Sequence, residues 1–408
     1  MGGLTEGFRQ AGFLPLFGVD PFRDALNTMK KHVKPRHKIF EAFPMPMKDF
    51  NDLFCKTGEA PRMSESKLGM VRALPQQQLD VLMAGVPCQT YSSANPRNTE
   101  EEPDRYLWRD VVRAVELLSP RFLLVEEVIQ FAVALPDMAA ELLRVGYQCK
   151  VRLCQAGYYG AAQSRVRIFL VAARLGEQLP PDPEPTHEFR AEHLGRKPEQ
   201  LTEATLGSGM PLATGHPAGG PYSASMNGVR PKKGAKLLSR VTVRDAIGRF
   251  QDPSGKWQNH NLAHASLSTN DLARAKKIKP GENGKVLPVA LQPKAVGKES
   301  RNEDWFVGKF GRLHWDGAFP TLTCQNDPSH GYNFHPEEHR VLTVRERAAA
   351  MSFPDDYEIH VSEPAGPSDQ KNAERHEREI AWKMVGNAVP PKLSEAWARA
   401  LLKVMWYE

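Results

Sequence analysis

The sequence predicts an α/β protein: an open sheet with a nucleotide-type cofactor site, interrupted by a second, loop-rich domain. Three observations predict this. Short apolar runs of strand length, such as Leu79–Ala84 and the stretch 120–128, alternate with helix-periodic stretches at 106–118 and 134–145. A glycine-rich start leads into a helix, then into a short strand that ends in Asp20. From the LPPDPEP stretch at 179–185 to about His335 the chain turns rich in Pro, Gly, His and Lys, and the α/β texture then returns.

Composition bounds the answer. A chain of 408 residues can bury a sizeable core and hold two domains. No run approaches the roughly 18 apolar residues of a membrane span, and no basic region precedes an apolar stretch at the start. Glu6 stands where a myristoylation signal needs Ser or Thr. The five cysteines (55, 88, 149, 154 and 324) form no Cys-x-x-Cys pair, which argues against a zinc site or a disulfide framework. The net charge of +6 is mildly basic and compatible with a polyanionic partner.

Taken in order, Gly2, Gly3 and Gly7 open a helical pattern that closes near Gly12, and residues 14–19 form a strand. An acid at the end of that strand is suited to ribose hydroxyls. Residues 27–37 read as a basic helix, and 43–54 as mixed and irregular. The strand 79–84 runs into Gly85-Val86-Pro87-Cys88-Gln89, where Gly85 and Pro87 force a tight turn. A thiol at the carboxyl end of a sheet strand is a nucleophile candidate, whereas an isolated buried cysteine is inert. Residues 90–105 are a polar loop, either a substrate-contact segment or a solvated connection.

The helix at 106–118 precedes a strand over 120–128 that ends in Glu126-Glu127. A carboxylate beside a nucleophile turn can act as acid or hold a base; two adjacent acids are otherwise a solvated strand end. After the helix 134–145 come strands at 147–153 and 167–173. Gln163, Arg165 and Arg167 alternate, which places the two arginines on one face, suited to carbonyl and phosphate oxygens. In the inserted region the basic run 229–240, together with Lys276, Lys277 and Lys279, lies near Trp257, Trp305 and Trp315. That combination fits nucleic-acid contact better than a solvated face. Residues 340–357 contain a helix stopped at Phe353-Pro354, and a glycine loop at 385–391 runs into an amphipathic C-terminal helix.

These stretches together resemble the DNA (cytosine-5) methyltransferases, in particular the catalytic domains of eukaryotic maintenance methyltransferases and chromomethylases. The motifs stand in the family's order. Gly2-Gly3-Leu4 through Gly12-Phe13 are similar to the tail of its first motif, and Val19-Asp20 to the ribose motif. Pro87-Cys88-Gln89 is similar to the catalytic motif, Glu126-Glu127-Val128 to Glu-Asn-Val, and Gln163–Arg167 to Gln-x-Arg-x-Arg. Arg340, Leu342-Thr343, Arg345-Glu346 and Phe353-Pro354-Asp355 are similar to the ninth motif, and Gly386–Pro391 to the tenth. Within the inserted region, 242–245 and 310–317 resemble stretches of the eukaryotic enzymes.

The resemblance implies a Rossmann-like S-adenosylmethionine-dependent methyltransferase sheet with an inserted target-recognition domain. The division is 1–180 catalytic and cofactor-binding, 181–337 target recognition, and 338–408 a return to the catalytic domain. It implies Cys88 as nucleophile, Glu126 at the cytosine ring nitrogen, Arg165 at the cytosine carbonyl and Arg167 beside them. Gly3, Leu4, Asp20, Pro21, Asn387 and Val389 would hold S-adenosyl-L-methionine, with no metal. The implied partner is double-stranded DNA with a flipped-out cytosine, in the nucleus, with chromatin or regulatory partners bound through regions outside this chain, and no membrane. The match departs from the family at several points. The opening Phe-x-Gly and preceding strand are missing, which predicts a truncated first motif. Glu127 stands for Asn, Val86 and Thr90 for Pro and Gly, and Met351-Ser352 for Gln-Gly. The alternatives are a non-catalytic homologue that binds DNA or a partner methyltransferase, and a tRNA cytosine-5 methyltransferase.

Overall fold

The computed structural model describes residues 1–33, 40–54, 65–74, 78–86, 106–189, 222–224, 228–251, 257–260, 267–292, 308–325, 327–362 and 370–405. Cys88, the loop 90–105 and Trp305 lie outside these residues. The first half holds α1 (Gly3–Gln10), β1 (Phe17–Val19), α2 (Arg23–Val33), β2 (Glu41–Phe43), α3 (Met47–Asp52), α4 (Glu65–Ala73), β3 (Val81–Gly85), α5 (Trp108–Leu118), β4 (Phe122–Glu127), α6 (Leu135–Arg144), β5 (Tyr147–Gln155) and β6 (Val166–Arg174). Then follow β7 (Tyr222–Ala224), α7 (Val243–Ile247), α8 (Thr269–Ala275), α9 (Val344–Ala350), α10 (Gln370–Asn387) and α11 (Pro391–Met405). The α/β expectation is met. The helix expected over 27–37 instead begins at Arg23, and the stretch read as irregular contains β2 and α3.

The main sheet is mixed, with order β3-β4-β6-β5-β7; β6 runs antiparallel to both neighbours, while β3–β4 and β5–β7 are parallel. β1 and β2 form a separate parallel pair. Both faces of the main sheet are covered, so its central strands are nearly continuous apolar runs. Leu123, Val125, Ile168, Leu170 and Ala172 pack towards α5 and α6. Phe122, Leu124, Phe169 and Val171 pack with Phe8 of α1 and Leu393, Trp397 and Leu401 of α11. Each large side chain fully buried in this way contributes roughly 1.5–3 kcal/mol. Strand alternation then fixes the polar ends. Glu126 and Arg167 share the α1/α11 face, and Glu127 lies on the α5/α6 face.

A second core joins Val243, Ile247 and Phe250 with Ile278, Phe310, Leu313 and Phe334, and continues through α9 into Trp382 and Val385 of α10. Described residues of the inserted segment, of 341–359 and of α10 therefore share one apolar core, and among the described helices that follow the inserted segment α11 packs on the sheet. Two caps hold α7 and α9. Thr242 with Asp245, and Thr343 with Glu346, each form a reciprocal capping box.

Candidate active site

The carboxyl ends of β3 and β4 meet the start of β6. The β3–β4 register ends at Gly85 opposite Glu126, and the antiparallel β6 brings Arg167 to the same edge. Arg167 Nε lies 3.1 Å from Glu126 Oε1, and its terminal nitrogen donates to the Val166 carbonyl at 2.8 Å. Burial pushes the Glu126 carboxyl above the usual range, against the pull of Arg167 and Arg165. A carboxyl so placed retains a proton closer to neutrality than an exposed one and can give it to a base.

Arg165 is engaged elsewhere. Its guanidinium donates to the carbonyls of Leu322 at 2.9 Å and of Gly386 and Ala388 at 3.0 Å each. The side chain is 2% exposed. It clasps the glycine loop before α11 to the end of the inserted segment. Arg165 lies just before β6, and of the two arginines Arg167 pairs with Glu126. Gln163 contributes to the same clasp: its side chain donates to Met351 Sδ at 2.8 Å and accepts from the Leu322 amide at 3.3 Å.

The expected cofactor residues gather around the start of α1. Gly2 has φ +83°, a left-handed conformation, and α1 has no side-chain cap. A Cβ on Gly3 would come within 2.0 Å of the Val389 carbonyl, so glycine is required for the two segments to touch. Ser394 Oγ donates to the Gly3 and Leu4 carbonyls at 3.0 and 3.1 Å, a link between α11 and α1 that the sequence did not suggest. Asp20 follows β1; one oxygen accepts from the Phe22 amide at 2.8 Å and its own amide donates to Phe43. Pro21 and Asn387 are exposed, and Val389 is buried.

The tryptophan expectation needs correction. Trp315 is buried and donates to Glu337 at 2.7 Å, and Trp257 packs edge-on against Phe250. Both serve the second core rather than an exposed platform. Lys232, Lys233, Lys276, Lys277 and Lys279 do lie on the surface. Among the described residues no cluster of His, Cys, Asp and Glu could hold a metal ion. No described helix is long and apolar enough to cross a membrane.

Comparison with known proteins identifies the family. Residues 1–403 match the C-5 cytosine-specific DNA methylase family. DNA (cytosine-5)-methyltransferase 1A of Oryza sativa is 29% identical over 98% of this chain, and DNA (cytosine-5)-methyltransferase 1 of Rattus norvegicus is 28% identical over 97%. The chain spans about a quarter of the length of these relatives, 27% in both cases. Among solved structures, an E. coli prophage protein described as a DNA modification methyltransferase superposes with TM-score 0.57 at 17% identity, covering 99% of this chain and 96% of that one. The S. pombe Dnmt2 methyltransferase gives 0.52 at 11% identity, covering 100% and 96%. These two share the fold. The chain belongs to the C-5 cytosine-specific DNA methylase family.

Proposed function

We propose that the chain transfers a methyl group from S-adenosylmethionine to carbon 5 of cytosine in double-stranded DNA, through a covalent cysteine adduct on a flipped-out base. The observation that carries this reading is the buried Glu126–Arg167 pair at 3.1 Å, set at the strand edge from which β3 leads, through Val86 and Pro87, to Cys88.

The residues fit the methyl donor. The first turn of α1 offers amides without a side-chain cap, which suits a carboxylate or other polar group. Asp20 commits one oxygen to its own turn, and its second is suited to a ribose hydroxyl. Gly3, Leu4, Asp20 and Pro21 would hold the nucleoside side, with Asn387 and Val389 at the other end. When bound, S-adenosylmethionine supplies an electrophilic sulfonium methyl.

Carbon 5 of cytosine is too weak a nucleophile by itself. The Cys88 thiolate adds to carbon 6, and electrons move onto the ring nitrogen, which takes the Glu126 proton. Arg167 donates to the cytosine carbonyl oxygen as charge develops there. Arg165 instead holds the loop carrying Asn387 and Val389 in place. Carbon 5, made electron-rich by the addition, would take the methyl group; loss of its proton to a base then expels the thiolate, and the ring nitrogen returns its proton to Glu126.

We assign residues 1–180 to the catalytic domain, 181–337 to target recognition, and 338–408 to the return to the catalytic domain. The exposed lysines at 232–233 and 276–279 would take phosphate contacts. Nuclear DNA is the proposed setting, by likeness to the plant and animal relatives, and chromatin or regulatory partners would bind outside this chain.

The test is transfer of labelled methyl to unmethylated DNA, hemimethylated DNA and tRNA, with Cys88→Ala alongside. Label in DNA that vanishes with Cys88→Ala is the expected result. Label in tRNA alone moves the substrate to RNA. A chain that binds DNA without transferring methyl is the non-catalytic homologue.

A further inference from the structure

The end of α10 meets the inserted segment backbone to backbone. A Cβ on Gly386 would lie 2.2 Å from the Thr323 carbonyl oxygen and 2.5 Å from the Cys324 amide nitrogen, so no side chain at this position can set the contact. Its register depends on what holds Thr323. That carbonyl accepts from Nη2 of Arg347, on α9. Nη1 of the same guanidinium donates to Asn333 Oδ1 at 3.1 Å, and its face lies 4.5 Å from the centre of the Trp382 ring. Trp382 stands four residues before Gly386 and so on the same side of α10. One guanidinium therefore grips both partners of the contact: a ring of α10 and the carbonyl on which Gly386 rests. Arg165, from just before β6, holds the neighbouring carbonyls of Leu322, Gly386 and Ala388.

For packing alone Arg347 is a costly choice. It is fully buried, and Nε has no hydrogen-bond partner among the described residues. Its described partners are two neutral oxygens and an aromatic ring, with no carboxylate. Burial lowers the guanidinium to about 10, so it stays charged at neutrality. Desolvating a cation that no carboxylate compensates is expensive, and an apolar side chain would fill the space at less cost. A planar fork, however, can serve a carbonyl, an amide oxygen and an aromatic face together, whereas a lysine offers a point charge. We propose that Arg347 is a positioning residue for methyl transfer: by holding the Thr323 carbonyl and the Trp382 ring together, it fixes Gly386 and hence Asn387 and Val389, at the methyl-donor end of the site. The inference rests on the methyl-transfer reading for its consequence, not for its geometry.

The experiment uses the full chain, with Arg347→Met, Arg347→Lys and Trp382→Leu. Hydrogen exchange at residues 384–388 is read beside calorimetric binding of S-adenosylhomocysteine and beside methyl transfer. In Arg347→Met these amides should exchange about tenfold faster, with amides of central β4 and β6 unchanged. The dissociation constant of S-adenosylhomocysteine and the KM for S-adenosylmethionine should each rise about tenfold, with kcat within about threefold of wild type. Arg347→Lys, which keeps the charge and loses the fork, should move every reading in the same direction. Trp382→Leu should match Arg347→Met, and the double variant should be no worse than the worse single one, because both remove one shared contact. Unchanged exchange at 384–388, exchange that rises equally in β4 and β6, an unmoved KM and dissociation constant, or additive effects of the two substitutions overturns the proposal. If Arg347→Met does not fold, Arg347→Lys decides by the same readings. Exchange is read whether or not methyl is transferred. A wild type that neither binds S-adenosylhomocysteine nor transfers methyl, with the expected exchange pattern in its variants, would fail the function reading alone.

Discussion

The carboxylates at the end of β4 and the Glu346 carboxylate in the first turn of α9 are comparably buried, yet their surroundings drive them in opposite directions. At Glu346 burial raises the carboxyl, but Arg340 outweighs it. Two parallel bonds of 2.8 Å, with the Thr343 amide at 2.7 Å, hold Glu346 below the usual range. Arg340 also grips Glu338 at 2.9 and 3.0 Å, and His335 lies 3.8 Å from Glu346, kept neutral first by burial and then by Arg340. At β4, burial wins at both carboxyls, over Arg167 and Arg165 at Glu126 and over Arg167 at Glu127. Nearly every polar atom of the first cluster is paired across a packed core. The second keeps spare capacity at a sheet edge. A fully paired cluster fixes structure, whereas an underpaired one stores a proton and can spend it on a ligand.

Substituting each cluster should therefore break different things. Glu126→Gln should lower methyl transfer by about 10²–10⁴-fold while thermal unfolding stays at or above the wild-type temperature; a matching collapse in stability would erase the contrast. Arg340→Met removes one partner of the buried Glu346 pair and should cost about 3–5 kcal/mol in denaturant unfolding. The two arginines of β6 sharpen the point. Arg167→Met should cut kcat by about 10²–10³-fold with little loss of stability. Arg165→Met strands three carbonyls and should cost about 1–3 kcal/mol of stability first. Swapped outcomes would return the cytosine contact to Arg165.

The pH dependence separates the clusters with opposite sign. Glu346 is depressed on folding, so its contribution is present above the unfolded carboxylate value and is lost as pH falls through the folded one. Glu126 and Glu127 are raised, so their contribution is present below the unfolded value and fades as pH rises through the folded ones. Melting curves should show the Glu346→Gln deficit shrinking in acid and any Glu126→Gln gain growing towards alkali. The smallest effect is expected at Ser352, which has φ +66° where glycine is at ease; its Oγ accepts from the Lys392 amide at 3.2 Å. Ser352→Gly should gain about 0.5 kcal/mol in chemical denaturation, the relief of strain exceeding the lost bond.

Much of this was legible in the sequence. β4 and β6 are buried on both faces, and their apolar runs stand out, as does the shorter apolar run of β3. Helices α5 and α6 carry clear periodicity. β2 and α3 are too short and mixed to show any, and the basic residues near the end of α2 masked its start at Arg23. The ordered motifs pointed to Glu126, Arg167 and the tenth-motif loop. Alternation could put Arg165 and Arg167 on one face but could not tell which meets Glu126, because the partners of Arg165 lie 157 to 223 residues away. Trp315 misled for a related reason: its burial depends on Glu337 and His335, 22 and 20 positions downstream, and no local signal reports that.

The most direct test of the central claim uses double-stranded DNA in which the target cytosine carries fluorine at carbon 5. Fluorine cannot leave as the proton does, so a methylated adduct stays bonded to the nucleophile. The chain is incubated with this DNA and S-adenosylmethionine, digested, and mapped by mass spectrometry. An adduct on Cys88 that Arg165→Met retains at reduced stability, and that Glu126→Gln slows, is the predicted result. No adduct in wild type, or one on Cys324, would contradict the account.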